Sequence, residues 1–352
     1  MRTQLIQWHC FLLAAIAALT FSASASASNA RFDDPSCSTL VPASTGGPRP
    51  SDKHLMVIRW LGWATYEVAY EDKIILMDAF IDTDPRRNVG VKLSDVRHAD
   101  AILIGHPHFD HIIDAPLLSK QTGAPIFVAP AGRAYLEQQA VPAARIRYVR
   151  GGETVRLPGF TVETALAVHA VHDPDLTKQL GQFVHAADPM SEDEQKIWNT
   201  EIKAIPSGNP KDPEQDIIHR GTMAYLVTFD DGTRVAFRDS PAEPTDAERQ
   251  LVRGVTDHDK RIDVAIVGYQ GNGVRIAMAH SGLPLAKLYH PRVLLPAHQD
   301  RIADVYPDIA TEPLLEVLRT QLPDMKTAAP IYRSPVCVDI QSGAVFNNTN
   351  AR

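Results

Sequence analysis

The sequence predicts a layered α/β fold in which two β-sheets pack face to face and helices cover their outer faces. Two observations favour this architecture. Short apolar runs bounded by turn-forming residues occur in an earlier and a later set along the chain, as expected of strands. Each set also contains segments with helical spacing. The composition, 44% hydrophobic and 22% charged, is that of an ordinary globular protein.

The first 28 residues predict a cleaved signal peptide, because Arg2 precedes the apolar run CFLLAAIAALTF and the small residues of SASASASNA. The run covers about 12 residues, whereas a membrane span needs about 20. We therefore expect a periplasmic or secreted protein without a stable membrane anchor. The net charge of −7 and the absence of a basic cluster argue against a nucleic-acid partner. The expected partner is a small-molecule substrate, and nothing indicates the oligomeric state.

Residues 29–53 are rich in Ser, Pro, Gly and Thr and predict an irregular lead segment. Two cysteines, Cys37 and Cys337, remain after the predicted cleavage. In an oxidising compartment they could form a disulfide, and two unpaired thiols are the equally open alternative.

The main domain is predicted over residues 54–345. Its first set of elements opens with three strands in an antiparallel meander, HLMVIRW, ATYEVAY and KIILMDAF. The buried strand ADAILIG follows, and then the helix DAPLLSKQTG with Asp114 as its N-cap. This set ends with the strand APIFVAP, the helix AGRAYLEQQA and the strand IRYV.

The second set begins with the strand FTVETALAVHAVH and a hairpin that turns at Asp231-Gly232. The helix PTDAERQLVRGV and the strands IDVAIVG and RVLLPAHQD complete it. Between the first strand and the hairpin, residues 173–218 form a polar insertion with some helix near SEDEQKIWNTEIKAI. Long insertions in compact domains are often functional, so we expect this one to lean over the site.

The stretch GHPHFDHIID, directly after a buried strand, is the strongest chemical signal in the chain. Alternate residues of an extended loop point the same way, so His106 and His108 can face one metal ion while Asp110 and His111 turn toward a second point. Imidazole and carboxylate ligands suit zinc or a similar divalent ion. Surface histidines that merely cap a turn are the alternative, but these have no reason to follow a buried strand.

The pattern His-x-His-x-Asp-His resembles the signature of the metallo-β-lactamase-fold hydrolases. The resemblance implies a four-layer αβ/βα sandwich with a two-metal site at one edge. It also implies three later ligands: a histidine, for which His169 is favoured over His172, then the metal-bridging Asp239, and finally His298. Asp78, at the end of an early strand, is similar to the aspartate that buttresses the metal loop in many members.

The resemblance covers roughly residues 54–300. The segment RWLGWATYEVAYEDKIILMDAF looks like the opening of the subgroup that includes ascorbate phosphate lactonases and the N-acylphosphatidylethanolamine-hydrolysing phospholipase D. This chain departs from that subgroup in three places. Trp63-Ala64 stands where a His-Ser pair is common, Ala79 where proline is common, and Arg238-Asp239 where Gly-Asp is usual. The departures spare the expected ligands but leave the particular activity open.

The function implied is an exported metal-dependent hydrolase that cleaves an ester, lactone, amide or phosphodiester with a metal-bridged hydroxide. Two divalent ions are expected, zinc first, with manganese or iron as alternatives. Asp110 would also orient the hydroxide, and His280 is a candidate for protonating the leaving group, with a structural role as its alternative. A mononuclear iron oxygenase on the same fold and a non-catalytic metal-binding protein remain alternative functions.

Overall fold

The computed structural model describes residues 32–83, 88–170, 191–197, 199–200, 205, 208–258, 260–269, 282–300 and 311–347. The strands within these ranges are β1 (Leu55–Trp60), β2 (Tyr66–Tyr70), β3 (Lys73–Met77), β4 (Ala101–Leu103), β5 (Ile126–Val128), β6 (Ile146–Tyr148), β7 (Thr154–Leu157), β8 (Phe160–Ala167), β9 (Thr222–Phe229), β10 (Arg234–Arg238), β11 (Val264–Gly268), β12 (Val293–Ala297), β13 (Lys326–Thr327), β14 (Pro335–Asp339) and β15 (Val345–Asn347). The α-helices are α1 (Pro35–Ser38), α2 (Phe109–Ile112), α3 (Ala115–Thr122), α4 (Arg133–Gln138), α5 (Glu192–Ile197), α6 (Asp246–Thr256), α7 (Leu283–Tyr289) and α8 (Glu312–Gln321).

The strands form two mixed sheets. Sheet A has the order β15-β14-β1-β2-β3-β4-β5-β6, and sheet B has the order β13-β12-β11-β10-β9-β8-β7. In each sheet one part is antiparallel and the other parallel: β3 to β6 run parallel in sheet A, as do β10 to β13 in sheet B. The chain thus alternates strand and helix in the parallel parts, where crossover connections are needed.

The two sheets pack against each other, and helices cover both outer faces. The central core lies between the sheets and contains Met77 and Leu103 of sheet A together with Phe237 and Leu295 of sheet B. A second cluster packs α3 and α4 on sheet A, and a third packs α6, α7 and α8 on sheet B. The predicted four-layer sandwich is therefore confirmed.

Most strands predicted from apolar runs are present, including the antiparallel meander β1-β2-β3. The hairpin β9-β10 turns at Asp231-Gly232 as predicted, and Gly232 adopts the left-handed φ of 92° that its turn requires. The prediction for Asp114 needs a correction. It precedes α3, but its side chain does not cap that helix. Its carboxylate instead accepts hydrogen bonds from the Ile81 amide and the Thr83 hydroxyl, which lie in the loop after β3.

The lead segment, which includes the short helix α1, packs on the outer face of sheet A over β1 and β14. Cys37 in α1 and Cys337 in β14 form a disulfide, which decides the alternative that the sequence left open. Beneath the segment, Arg59 and Glu67 are fully buried and form an ion pair of 3.3 Å. Glu67 also accepts the backbone N–H groups of Ala43 and Ser44 at 2.9 and 2.8 Å, so the pair binds the lead to the sheet.

Several sequence predictions fall outside the described residues. They are the signal peptide over residues 1–28, much of the insertion at 173–218, and the side chains of His172 and His280. Among the helices that the structure does describe, none has both the length and the hydrophobicity of a membrane span.

Candidate metal centre

Strand ends bring the predicted ligands to one edge of the sandwich. Asp78 follows β3 and the His106 loop follows β4, two parallel neighbours of sheet A. In sheet B, His169 follows β8, Asp239 follows β10 and His298 follows β12, and these three strands run in the same direction. Because carboxyl ends of strands that run in the same direction meet at one edge, residues far apart in the chain come together here.

The first group of ligands consists of His106, His108 and His169. The Nε2 atoms of His106 and His169 lie 3.1 Å apart, and the ring of His108 lies 4.7 and 4.8 Å from theirs, between centroids. Nδ1 of His169 donates to the Ala170 carbonyl, and Nδ1 of His106 donates to Oδ2 of Asp239, both at 2.5 Å. When Asp239 is ionised, both imidazoles carry their protons on Nδ1, and their Nε2 atoms direct lone pairs at each other. That arrangement is repulsive unless a cation lies between them.

The second group consists of Asp110, His111 and His298. The first two lie in the single turn of α2, and Oδ2 of Asp110 lies 3.5 Å from Nε2 of His111 and 3.9 Å from Nε2 of His298. The two imidazole rings are stacked with centroids 5.2 Å apart. Trp63 donates its indole N–H to the same Oδ2 at 2.9 Å. Oδ2 of Asp110 thus faces Nε2 of both histidines and accepts a hydrogen bond from Trp63.

Two buried aspartates support the histidines from behind. Asp78 accepts the Gly105 backbone N–H at 2.8 Å and Nδ1–H of His111 at 2.7 Å, as expected of a residue that buttresses the metal loop. Asp239 contacts Nδ1 of His106, and its Oδ2 lies 3.3 Å from Nδ1 of His111. The structure therefore places Asp239 on the Nδ1 side of both imidazoles, and its role as a bridging ligand stays a prediction.

Three residues at the centre adopt left-handed backbone conformations that only glycine adopts without cost. The φ angles are 50° for Trp63, 56° for Asp78 and 70° for His298. Backbone hydrogen bonds hold these positions: the His298 N–H donates to the Trp63 carbonyl at 3.0 Å and the Asp78 N–H to the Leu103 carbonyl at 2.8 Å. Such conformations cost about 1–3 kcal/mol each and cluster at functional sites.

Residues on both sides of Asp239 hold the backbone around His169. Nη2 of Arg238 donates to the Val168 carbonyl, and the Ala170 N–H donates to Oγ of Ser240 at 2.8 Å. The end of β10 therefore fixes the segment that carries a ligand of the first group.

Arg238 is itself fully buried, with a network of its own. Its Nε donates to Glu248 at 3.0 Å, and the Tyr289 hydroxyl donates to the same carboxylate oxygen at 3.2 Å. Nη1 lies 3.8 Å from Oδ1 of Asp239 and has no hydrogen-bond partner in the described part of the chain. A buried cation beside the aspartate offsets part of the negative charge at the centre.

The charges at the centre shift several pKa values. Burial lowers the pKa of His106 well below its usual value and that of His169 to about 3, and neighbouring imidazoles act in the same direction. Burial alone would also lower the pKa of His111, but the carboxylates of Asp110, Asp78 and Asp239 raise it well above its usual value.

The pKa values of the buried carboxylates shift in opposite directions. Burial would raise the pKa of Asp110, yet His111 beside it holds that pKa well below its usual range. The pKa of Asp78 is raised to about 7, chiefly by burial. The charge of Asp239 acts in the same direction, and His111 lowers this pKa. Burial also raises the pKa of Asp239, against the effect of His111 and Arg238.

These residues fit divalent metal ions. Two ligand atoms of a tetrahedral zinc ion with bonds of about 2.0 Å lie roughly 3.3 Å apart, close to the separations in both groups. Nε2 of His111 and Oδ1 of Asp239 are buried without a hydrogen-bond partner in the described residues. Buried polar atoms are normally paired, so these two indicate a missing partner. Among the described residues, three groups have potential ligand atoms within 4.8 Å of one another: His106-His108-His169, His106-Asp110-His111 and Asp78-His111-Asp239.

The structure brings the expected ligands together, but the residues that hold them are not evident from the sequence. Trp63 and Arg238 were noted only as departures from a pattern, and Ser240 was not singled out. A signal existed for the first two, because a tryptophan in a tight turn and an arginine at the end of a buried strand both need a polar partner. Asp110, the partner of Trp63, and Val168, whose carbonyl Arg238 contacts, lie 47 and 70 residues away in the chain.

Comparison with known proteins identifies a family match and relatives that are named metal-dependent hydrolases. Residues 73–189 match the family described as Beta-lactamase superfamily domain. A UPF0173 metal-dependent hydrolase from Cupriavidus necator is 36% identical over 122 residues, which are 34% of this chain and 42% of that protein. A namesake from Cupriavidus taiwanensis is 30% identical over 139 residues, 39% of this chain and 48% of that protein. The chain thus spans about half the length of these curated relatives.

Among solved structures, a metallo hydrolase from the archaeon Ignicoccus hospitalis is similar with a TM-score of 0.54 and 16% sequence identity. The alignment covers 80% of this chain and 98% of that protein, and at this identity it shows the fold alone. The particular subgroup expected from the sequence stays a prediction. Residues 73–189 match the beta-lactamase superfamily domain, and the chain that contains them has the metallo-β-lactamase fold.

Proposed function

We propose that this protein is a metal-dependent hydrolase whose centre binds two divalent ions, with zinc as the preferred metal and manganese or iron as alternatives. The relatives named above carry metal-dependent hydrolase in their names, which supports the activity. One observation carries the proposal. Nε2 of His106 and Nε2 of His169 lie 3.1 Å apart, while their Nδ1 atoms contact the Asp239 carboxylate and the Ala170 carbonyl.

The first ion would be held by the first group, His106, His108 and His169, and the second by the second group. Asp239 is proposed as the carboxylate shared between them. When bound, such ions supply Lewis acidity toward a carbonyl or phosphoryl oxygen and lower the pKa of a bridging water toward neutrality. Asp78 and the Ala170 carbonyl keep the imidazoles of His111 and His169 in the tautomers that leave Nε2 free.

Asp110 is proposed both to bind metal and to orient the attacking water. Its carboxylate stays ionised because His111 holds its pKa well below the usual range, so it can accept a hydrogen bond but holds no proton at neutral pH. Trp63 fixes the orientation of that carboxylate through Oδ2. His280, which lies outside the described residues, remains a candidate for protonating the leaving group.

The proposed substrate is a small ester, lactone, amide or phosphodiester that an exported enzyme meets in the periplasm or outside the cell. Export is supported by the signal-like segment at residues 1–28 and by the disulfide between Cys37 and Cys337, since such bonds persist in oxidising compartments. No nucleic-acid partner is proposed, because the chain carries a net charge of −7.

A hydrolysis panel on metal-free protein tests the proposal. Chromogenic esters, lactones, amides and phosphodiesters are offered to chelated protein before and after Zn²⁺ or Mn²⁺ is added. We expect chelation to abolish turnover and either metal to restore it. Protein that binds two equivalents of metal yet cleaves no member of the panel would contradict the proposal.

The same samples separate the alternative functions. One iron and no zinc per chain would favour a mononuclear oxygenase. Asp239→Ala distinguishes an enzyme from a fold stabilised by its metal, because a purely structural site predicts a loss of stability alone. An enzyme is expected to lose activity at least as strongly.

A further inference from the structure

We propose that Trp63 is a positioning residue that holds the Asp110–His298 half of the metal centre in its ligand-ready geometry. The inference rests on the proposed metal binding and extends it to a residue outside the ligand set. It starts from the turn between β1 and β2. Leu61 and Thr65 close this turn with a hydrogen bond of 2.8 Å, and Trp63 lies at its tip in a left-handed conformation.

Three separate contacts connect Trp63 to two expected ligands. Its indole N–H donates to Oδ2 of Asp110 at 2.9 Å. Its ring lies 3.7 Å from the ring of His298, between centroids, at an interplanar angle of 43°. Its carbonyl accepts the His298 backbone N–H at 3.0 Å. One side chain and its own backbone therefore fix both residues that must meet at the second ion.

The chemistry of indole makes this contact selective. Indole N–H is a donor only, so it holds the carboxylate as an acceptor and cannot take a proton from it. Oδ2 is also the atom that faces Nε2 of His111 and of His298, at 3.5 and 3.9 Å. The indole thus occupies one lone-pair direction of Oδ2 and leaves the other for a metal ion.

The position of Trp63 is itself supported. The residue is fully buried, and the indole N–H of Trp60 donates to its carbonyl at 2.8 Å. Trp60 in turn packs on Tyr332 with ring centroids 4.5 Å apart. The turn therefore has a rigid base in sheet A, and a site on a rigid base keeps its geometry without metal.

Trp63→Phe is the informative variant, because it keeps an aromatic ring beside His298 but removes the donor to Asp110. Loss of a residue that holds a metal ligand typically lowers metal affinity by about 10–100-fold. We expect the affinity for the zinc ion bound by Asp110, His111 and His298 to fall by that factor. The affinity for the other zinc ion should not change. Tyr70→Phe is the matched control: it removes an aromatic donor to a carboxylate, Asp231, at the other end of β2.

The indole N–H resonances of ¹⁵N-labelled full-length protein identify which equivalent Trp63 senses. Trp63→Phe assigns its own resonance by removing it, and Zn²⁺ is then titrated into the wild type. We expect the Trp63 resonance to shift with one equivalent and more than that of Trp60. Equal zinc affinities in wild type and Trp63→Phe would overturn this inference but not the proposed metal centre. A Trp63 resonance that shifts with neither zinc equivalent would do the same. Wild-type protein that binds no zinc would overturn the proposed metal centre with it.

Discussion

Gly105 and Asp239 lie in contact at the centre, so closely that a Cβ on Gly105 would overlap the Asp239 carboxylate. The two residues follow strands of different sheets, β4 and β10, and the approach brings Asp239 within 2.5 Å of His106. Glycine is required here by space and not by its backbone angles. The absence of one side chain therefore lets a carboxylate of sheet B reach the histidine loop of sheet A.

We expect Gly105→Ala to displace Asp239 and to lower the free energy of unfolding by about 1–3 kcal/mol, the usual cost of overpacking a core. Zinc affinity should fall as well, because His106 loses its partner. Urea unfolding and zinc titration measure both effects. Gly254→Ala in α6 is the control, since a Cβ there meets nothing within 4 Å, and it should stabilise the protein by about 0.5–1 kcal/mol. Wild-type zinc affinity in Gly105→Ala would show that the contact is not needed.

Metal affinity should rise with pH. In the metal-free protein, burial alone would lower the pKa of His111, but three carboxylates raise it well above its usual value, so His111 keeps its proton to a higher pH than an ordinary histidine. A metal ion must displace that proton, and the competition weakens as the pH approaches the raised pKa. Zinc titrations between about pH 6 and about pH 9 span the ordinary histidine range and the region above it. An affinity independent of pH over this interval would contradict the assignment.

Removing the disulfide should destabilise the protein without disturbing the centre. Cys37→Ser with Cys337→Ser is expected to lower the free energy of unfolding by about 2–5 kcal/mol, because the bond restrains the unfolded chain. Denaturant unfolding of the wild type with and without reductant should reproduce the difference. If the unfolding transitions with and without reductant coincide, Arg59 and Glu67 hold the lead segment in place without a contribution from the disulfide.

Arg238 and Glu248 should behave as a coupled pair. Arg238→Met leaves a fully buried carboxylate without its cation, which typically costs about 3–5 kcal/mol. The double variant with Glu248→Met is expected to lose less than the sum of the single changes, since it leaves no unpaired charge. Unfolding free energies of the four proteins in this cycle give the coupling. Strict additivity would mean that the ion pair contributes nothing specific.

Much of the fold was predictable from the sequence because the strands are short apolar runs separated by clear turn residues. The clustering of the expected ligands was predictable because several of them follow such strands, as His106 follows β4 and His298 follows β12. The contacts of Trp63 with Asp110 and of Arg238 with the Val168 carbonyl were not predictable, since they join residues 47 and 70 positions apart in the chain. Local patterns carry no information about contacts at that separation. The Asp114 side chain shows the same limit. Asp114 directly precedes α3, but its carboxylate accepts a hydrogen bond from the Ile81 amide in the loop after β3.

The number of zinc ions bound per chain tests the central claim most directly. It is measured by elemental analysis after metal-free protein has been dialysed against excess Zn²⁺, for the wild type and for His169→Ala. We predict two ions in the wild type and one in the variant, because His169 belongs to the first group alone. A wild type that binds no zinc, or a variant that binds as much as the wild type, would contradict the assignment of this centre.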